Sequence, residues 1–253
     1  MGVIYRPKNK ALEYSLLALN HYVGCGHKCA YCYLQWLGHN VAVTPYIKPN
    51  IVQRVRREAA KLHGTDERVL LSFACDPYQP LDTELRLTRR VLEILRDNCV
   101  PFQVLTKGGI RAADDLDVYG PHDAFAVTLT FLDERWREWE QRAAPPSERV
   151  MALLAAHNSG IETWVSLEPV LNPDESLRII HETHEFVTLY KVGKLNHLTS
   201  STDWRAFAIE AIQLCESLNV RYWVKAELAR YVEDVPFVNT DNRRADWQVK
   251  AKS

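Results

Sequence analysis

Short apolar runs alternate with longer amphipathic stretches along most of this 253-residue chain. Several of the short runs are hydrophobic on both faces, as strands buried in a parallel sheet are. They predict strands at 17–23, 69–74, 101–106, 124–131, 162–168, 186–192 and 220–225. The alternation is typical of repeated strand–helix units.

The longer stretches carry apolar residues at the spacing of one helix face. Asn50 stands where a first helix begins and Gly64 where it ends, and Gly160 ends a third helix. The predicted helices cover 51–63, 83–97, 147–159, 174–185 and 202–218. Right-handed crossovers would wind these units into a full or partial α/β barrel, with functional side chains placed just after the strands.

Composition and charge narrow the class of protein. With 47% hydrophobic and 25% charged residues the chain is that of a folded globular protein, and we expect one domain over 1–236 followed by a tail over 237–253. Lys and Arg number 31 against 32 Asp and Glu, so no overall positive charge indicates a nucleic-acid or membrane partner. No apolar run reaches the length needed to span a bilayer, and we expect a cytoplasmic protein.

The first predicted strand leads directly into a loop, 24–33, that holds three of the six cysteines. Cys25, Cys29 and Cys32 have the spacing CxxxCxxC, which lets three sulfurs surround one metal centre. A [4Fe-4S] cluster on three cysteines leaves one iron open to a small molecule. Two alternatives stay open: a structural zinc ion completed by His27, and a metal-bearing binding module without catalysis.

This loop also resembles the signature of the radical S-adenosylmethionine superfamily, in which three cysteines enclose an aromatic residue after the first barrel strand. Tyr31 stands in the aromatic position. The stretches that resemble one branch, that of spore photoproduct lyase and related DNA-repair-photolyase-like proteins, are 19–25, 72–80, 87–95, 105–107 and 140–149. The resemblance implies a partial (βα)6 barrel of the TIM-like type.

The resemblance also implies cofactors. Cys25, Cys29 and Cys32 would ligate a [4Fe-4S] cluster, and S-adenosylmethionine would bind the open iron through its amino and carboxylate groups. One electron from an external reductant would split the sulfonium into methionine and a 5′-deoxyadenosyl radical, which abstracts hydrogen from a substrate. The cofactor then supplies the radical chemistry, and the protein positions it.

Cofactor-binding candidates follow successive strands. Asp76 comes after the second strand and suits the ammonium group of the cofactor, while Lys107 comes after the third and suits its carboxylate. Thr128 and Thr130 share one face of the fourth strand. The remaining candidates for cofactor binding are Tyr31, Glu140, Arg142 and Glu168.

Two further residues are candidates for chemistry on the substrate. Cys75 lies close to the position where spore photoproduct lyase carries the cysteine that returns a hydrogen atom to the substrate radical, and Tyr78 follows it. A lone cysteine is also common as a small buried hydrophobic residue, so packing is the alternative interpretation of Cys75.

These motifs do not encode the substrate. A lesion in DNA is one candidate because of the branch resemblance, and a protein or RNA partner modified by radical chemistry is another. We expect the discriminating contacts in the loop 34–49 and in the chain after Glu168, because loops on a barrel carry specificity.

Overall fold

The computed structural model describes residues 2–35 and 44–240. Its centre is a sheet that contains, within those ranges, seven parallel strands and one antiparallel strand at an edge. The strands are β1 Ile4–Tyr5, β2 Leu17–Leu19, β3 Tyr22–Val23, β4 Tyr46–Ile47, β5 Val69–Leu71, β6 Phe102–Thr106, β7 Ala124–Thr128, β8 Glu162–Leu167, β9 Leu189–Val192 and β10 Arg221–Val224. The large sheet has the order β1-β2-β5-β6-β7-β8-β9-β10, and β3 pairs with β4 separately.

Helices follow most of the parallel strands along the chain, as the strand–helix pattern predicts. The α-helices are α1 Ile51–Ala59, α2 Pro80–Leu85, α3 Leu87–Asp97, α4 Trp136–Trp139, α5 Pro146–Asn158, α6 Pro173–Thr183, α7 Trp204–Ser217 and α8 Ala226–Ala229. Side-chain caps begin two of them, because Asn172 accepts from the Glu175 N–H and Asp203 accepts from the Arg205 and Ala206 N–H groups. The structure confirms the predicted α/β class and the partial barrel.

The predicted helix 83–97 is interrupted in the structure. Arg86 adopts a left-handed conformation with φ 44°, so the chain forms α2 and α3 in succession. Asp82 stabilises the break, because its Oδ1 accepts from the Thr88 N–H at 2.9 Å and from the Tyr22 hydroxyl. Helical periodicity cannot detect such a break, since the apolar spacing continues through it.

The predicted strand 17–23 is likewise divided into β2 and β3. Asn20 is buried between them, and its Oδ1 accepts from the backbone N–H groups of Phe73 and Ala74 at 2.9 and 2.8 Å. These bonds tie the end of β2 to the loop after β5. That loop replaces the last residues of the predicted strand 69–74.

The connection between β6 and β7, for which the periodicity predicts no helix, forms the 3-10 helix Gly109–Val118. Its first residue lies against the loop before α5, since a Cβ on Gly109 would collide with the Cβ of Ala144. Gly109 has φ 67°, which glycine adopts without strain. The segment therefore covers the sheet where the other crossovers use an α-helix.

The strands place alternate residues on the two faces of the sheet. In β7, Phe125 and Val127 belong to the large core under the helices, while Ala124 and Ala126 pack with Trp164 on the other face. The members of the second cluster are Leu70, Ala124, Ala126, Trp164, Leu189 and Trp223. Two alanines in this cluster leave room inside the curved sheet.

The segment before β2 joins the two ends of the incomplete barrel. The Ala226 N–H donates to Glu13 Oε1 at 2.6 Å, and Lys191 Nζ donates to the Glu13 carbonyl at 3.1 Å. Gln103 Nε2 donates to the Tyr14 carbonyl at 2.9 Å. The segment before β2 thus contacts residues on β6 and β9 and the first residue of α8, Ala226.

The expected tail begins against the edge of the sheet. The Thr240 N–H donates to the Tyr222 carbonyl at 2.9 Å, and the Val224 N–H donates to Asn239 Oδ1 at 2.7 Å. The rest of that tail, 241–253, lies outside the described residues, as does the part 36–43 of the predicted specificity loop. In the two described ranges, no helix is both long and apolar enough to cross a membrane.

Candidate active site

The carboxyl ends of the parallel strands surround a cavity of about 760 Å³. Its walls come from loops that follow β2, β5, β6 and β8, where a barrel carries its ligands. The predicted site residues that line it are Cys25, Cys29, Tyr31, Cys32, Cys75, Asp76, Lys107, Thr128 and Glu168. The structure therefore brings together most of the candidates from five separate stretches of the chain.

A second cavity, of about 730 Å³, opens at the other end of the same strands. Its lining includes Arg68, Arg96 and Glu162 but none of the predicted site residues. Tyr14 lines both cavities and lies between them. The chemistry expected from the sequence belongs to the cavity at the carboxyl ends.

The cysteine loop is held by backbone and amide contacts. The Gly26 N–H donates to Gln79 Oε1 at 2.7 Å, and the Ala30 N–H donates to the Trp139 carbonyl at 2.7 Å. The Arg142 N–H donates to the His27 carbonyl at 3.1 Å. These contacts come from the loop after β5 and from the chain around α4, so two neighbouring segments shape the loop.

The arrangement of the three cysteines fits a cluster better than a single ion. In the part of the chain that the structure describes, no three His, Cys, Asp or Glu side chains converge to hold one metal ion. A structural zinc ion needs four converging ligands, and His27 instead faces Asp76, with 3.4 Å between Nδ1 and Oδ2. The three free thiols line the same cavity, and a polynuclear iron–sulfur cluster is held by cysteines that each bind a different iron.

Burial affects the protonation of these thiols. It raises the pKa of the Cys29 thiol to about 11, although Lys107 acts in the opposite direction. Because metal ligands must be deprotonated, binding of a cluster by these thiols would release protons and depend on pH.

Asp76 is a buried carboxylate with several donors. Its Oδ1 accepts from the Thr106 hydroxyl at 2.6 Å and from the Tyr78 N–H at 2.9 Å, and its Oδ2 accepts from the Lys107 N–H at 2.7 Å. Burial alone raises the pKa of Asp76, but His27 and the hydrogen bonds outweigh it and hold the pKa well below its usual value. The carboxylate is therefore ionised at neutral pH.

Lys107 supplies the positive charge on this wall. Its Nζ lies 5.6 Å from the centre of the Tyr31 ring, and none of the described carboxylates forms an ion pair with it. Burial lowers its pKa, but the charges at Cys29, Glu140 and Asp76 raise it more, so the ammonium persists. A cation of this kind at a cavity wall suits an anionic ligand group.

Glu140 lies behind Tyr31 rather than in the cavity. It accepts from the Tyr31 hydroxyl, and its Oε2 lies 2.5 Å from Nη2 of Arg149, with both charged side chains fully buried. Arg149 also donates to the carbonyls of Ala144 and Thr128 at 2.9 and 3.0 Å. The pair joins the aromatic residue of the cysteine loop to the end of β7.

Three other candidates do not reach the cavity. The Arg142 side chain is exposed, and Thr130 is buried with a hydroxyl that has no partner among the described residues. Tyr78 is buried and donates to Asp115 Oδ2 at 2.9 Å, away from the cavity lining. Their predicted roles at the cofactor or substrate gain no support from their positions.

The wall after β8 carries a second polar group of residues. Glu168 Oε1 accepts from Asn196 Nδ2 at 2.9 Å, and its Oε2 accepts from the Tyr14 hydroxyl at 3.0 Å and from Lys225 Nζ. The Tyr14 and Ser166 hydroxyls lie 3.1 Å apart. Sequence reasoning found Glu168 but not its partners Tyr14 and Lys225, because these two residues are separated by 211 positions and carry no local motif.

Comparison with known proteins identifies the family. The model of the radical SAM superfamily matches residues 19–187, more than half of the chain. The chain belongs to this superfamily. It is a radical SAM enzyme, and the superfamily uses a [4Fe-4S] cluster, S-adenosylmethionine and an external reductant.

The chain is also similar in sequence to proteins of other organisms. An uncharacterized protein of Methanocaldococcus jannaschii, MJ0683, is 24% identical over 89% of this chain and 86% of its own length. The protein Rv2578c of Mycobacterium tuberculosis is 26% identical over 65% of this chain, which spans about half (52%) of that relative.

Two solved structures share the fold. A mutant of spore photoproduct lyase has a TM-score of 0.66 at 12% identity, over 84% of this chain and 77% of that one. SuiB of Streptococcus suis bound to S-adenosylmethionine has a TM-score of 0.64 at 12% identity, over 87% of this chain and 53% of that one.

Proposed function

We propose that Cys25, Cys29 and Cys32 hold the cluster of this enzyme and that S-adenosylmethionine binds in the adjoining cavity. The observation that carries the proposal is that three free thiols and the ammonium of Lys107 line the same cavity at the carboxyl ends of the strands. When bound there, the cofactors supply reductive cleavage of a sulfonium to methionine and a 5′-deoxyadenosyl radical.

The cavity provides the contacts that this cofactor requires. Lys107 Nζ is a point charge for the methionine carboxylate, and the Thr128 hydroxyl, on the adjacent strand end, is a hydrogen-bonding group. Phe73 and Leu105 line the same space and exclude water, which protects a radical from side reactions.

Cys75 is suited to return a hydrogen atom to the substrate. Once a substrate radical had formed in the cavity, it would take the hydrogen atom of the Cys75 thiol and leave a sulfur radical. The external reductant then restores the thiol with one electron and one proton. Burial raises the pKa of Cys75 to about 11, so the S–H bond is retained at neutral pH.

The rim of the cavity supports a substrate that carries phosphate groups. Lys8, Lys10 and Lys28 line the cavity and are exposed, whereas its acidic residues Asp76 and Glu168 accept hydrogen bonds from protein donors. Lysines at an entrance attract a nucleic-acid backbone, and this attraction weakens with salt. A solved spore photoproduct lyase, which has the same fold, is complexed with a dinucleoside photoproduct.

The radical activity is tested with protein reconstituted anaerobically with iron and sulfide and reduced with dithionite. We expect 5′-deoxyadenosine from S-adenosylmethionine, and none from the Cys29→Ala variant. A wild-type protein that takes up iron yet yields no 5′-deoxyadenosine would overturn the proposed reaction.

The nucleic-acid substrate is tested by binding of a single-stranded oligonucleotide at increasing salt. We expect the K8A/K28A double variant to bind more weakly and with a shallower salt dependence than the wild type. The matched control is R57A/K61A, which removes two positive charges from the region of α1 outside the cavity. If K8A/K28A binds the oligonucleotide as tightly as R57A/K61A does, the rim of the cavity does not bind phosphate.

A further inference from the structure

Asp76 connects the separate parts of the candidate site. We infer that Asp76 is a positioning residue, which through His27 fixes the cysteine loop relative to Lys107 and does not itself bind the cofactor. This inference rests on the proposed function of the cavity. It revises the expectation that Asp76 binds the ammonium group of S-adenosylmethionine.

The carboxylate of Asp76 has little capacity left for another donor. An ionised carboxylate offers about four lone-pair sites. Three are used by the hydroxyl of Thr106 and the N–H groups of Tyr78 and Lys107, at 2.6 to 2.9 Å. The fourth faces Nδ1 of His27 at 3.4 Å. A ligand ammonium would have to compete with donors that the protein already supplies.

The four donors belong to three segments of the site. His27 comes from the cysteine loop after β3, Tyr78 from the loop after β5, and the last two donors from the end of β6. One buried charge therefore joins three segments that have no covalent link nearby. Charge-assisted hydrogen bonds of this kind are stronger than neutral ones.

The end of β6 is packed tightly around this carboxylate. The Thr106 hydroxyl donates to Asp76 and also accepts from the Gly108 N–H at 2.8 Å. A Cβ on Gly108 would lie 3.0 Å from that hydroxyl and would collide with Tyr78. The backbone on both sides of Lys107 is thus fixed, so the base of its long side chain has a defined position.

His27 carries the connection to the cysteine loop. It lies between Cys25 and Cys29 in the sequence and is 1% exposed. Its carbonyl accepts from the Arg142 N–H at 3.1 Å, so both its backbone and its ring are engaged. A shift of His27 would move the two cysteines that flank it.

The positions of the loop and of Lys107 matter jointly. A cofactor whose methionine carboxylate met both the cluster on the loop and the ammonium of Lys107 would bind well only if the distance between the loop and Lys107 were correct. Misplacement by about 1 Å in an active site can reduce a rate by about 100-fold. Residues behind metal ligands typically change metal affinity or activity by about 10- to 100-fold when replaced.

The test compares H27A, H27N, D76N and the double variant H27A/D76N in the full chain. Asparagine in H27N keeps an N–H donor near the position of Nδ1. Equilibrium binding of S-adenosylmethionine is measured on reconstituted protein, together with the change that it causes in the electron paramagnetic resonance spectrum of the reduced cluster. Hydrogen exchange of the loop 24–33 is measured on cluster-free protein.

We expect H27A to weaken cofactor binding by about tenfold or more, with faster exchange in the loop, and H27N to restore most of both. D76N should lose at least as much cofactor affinity as H27A. The double variant should lose no more affinity than D76N, because His27 acts through its contact with Asp76. If H27A binds the cofactor as the wild type does while D76N does not, Asp76 is a direct ligand and the inference is wrong. Additive losses in the double variant would contradict it as well.

The matched control is H21A. His21 is a fully buried histidine bonded to the Thr88 hydroxyl at 2.9 Å, and it does not line the cavity. We expect H21A to lower the unfolding midpoint without changing cofactor affinity, which separates lost stability from lost positioning. Failure of the proposed function would show in the wild type itself, as absent cofactor cleavage, whereas failure of this inference shows only in the variants.

Discussion

Charge is arranged differently on the two polar walls of the cavity. On the wall that contains the cysteine loop and the end of β6, three thiols face the cavity and Lys107 has no ion-pair partner among the described residues. On the wall after β8, the carboxylate of Glu168 already accepts from Asn196, Tyr14 and Lys225.

This difference indicates what each wall does. The Lys107 ammonium lines the cavity without an ion-pair partner among the described residues, so the first wall suits an anionic ligand group. The second wall is neutral and its hydrogen bonds are made within the protein. On this wall Lys225, the residue after β10, donates to the Tyr14 hydroxyl. This bond joins the segment before β2 to the last strand of the sheet and so closes the incomplete barrel. The proposed function assigns cofactor binding to the first wall, and the hydrogen bonds of the second wall join the two ends of the sheet.

The largest expected effect on stability concerns Glu140, behind the first wall. In R149M the Glu140 carboxylate stays buried without its cation, and removing one partner of a buried pair costs about 3–5 kcal/mol. Urea denaturation of cluster-free protein measures this loss. The matched control is R142A, whose exposed side chain should change the unfolding free energy by no more than about 0.5 kcal/mol.

The same pair predicts a pH dependence. Burial raises the pKa of Glu140, but Arg149 and Lys107 outweigh it and hold the pKa below its usual value of 4.5. Its stabilising contribution is therefore present above the unfolded-state pKa and is lost as pH falls through the lowered folded-state pKa. In R149M the Glu140 pKa is no longer lowered by Arg149, so burial raises it. The free energy of unfolding that R149M has lost relative to the wild type should therefore shrink as pH falls and Glu140 becomes protonated. A deficit that is constant with pH would contradict this account.

The next largest effect is expected on cofactor affinity, at Lys107 on the first wall. K107M removes the positive charge of the first wall, and we expect cofactor affinity to fall about tenfold or more, the value of a charge-assisted contact. K107R keeps the charge and should retain part of the affinity. Lys107 interacts with Glu140 and Asp76 only at a distance and forms no ion pair with the described carboxylates, so the loss of unfolding free energy should be smaller than in R149M. A large loss of stability without loss of affinity would reverse the roles of the two walls.

A smaller effect is expected on the second wall. In K225M the Glu168 carboxylate loses its cation but keeps Asn196, Tyr14 and partial contact with water, so we expect a loss of about 1–3 kcal/mol of stability. Calorimetric unfolding measures it. Cofactor affinity should stay within about twofold of the wild type, and a larger change would show that the second wall also binds the cofactor.

The smallest effect concerns Tyr78, whose hydroxyl bonds to Asp115 outside the cavity. Y78F removes one neutral donor to a buried carboxylate and should cost about 1 kcal/mol, with unchanged production of 5′-deoxyadenosine. Loss of the product in Y78F would restore Tyr78 to the catalytic candidates.

The sequence predicted the first wall far better than the second. Cys25, Cys29 and Cys32 share one short loop, and Lys107 follows an apolar strand, so local pattern and family resemblance both identify them. Tyr14 and Lys225 follow no motif and meet only because the two ends of the sheet approach each other. Resemblance also placed Glu140 at the cofactor, whereas the structure shows it bonded to Tyr31 behind the cavity.

Errors in the predicted elements have a similar origin. Arg86 and Asn20 interrupt a helix and a strand through a backbone conformation and a side-chain bond that hydrophobic periodicity does not record. Periodicity reports which face of an element is buried. It does not report where the backbone leaves regular geometry, because that depends on partners distant in the chain.

The sequence by itself determined the α/β class, the order of strands along the chain and the spacing of the three cysteines, since each depends on local pattern, and it indicated the family through resemblance. Only the tertiary structure decided which polar residues are occupied by protein partners and which face the cavity. Asp76 and Lys107 look alike as charged residues after strands, yet one is saturated by four donors and the other has no described ion-pair partner. Hydrogen-bond saturation and desolvation are set by the neighbours that folding brings together, and these neighbours are remote in sequence.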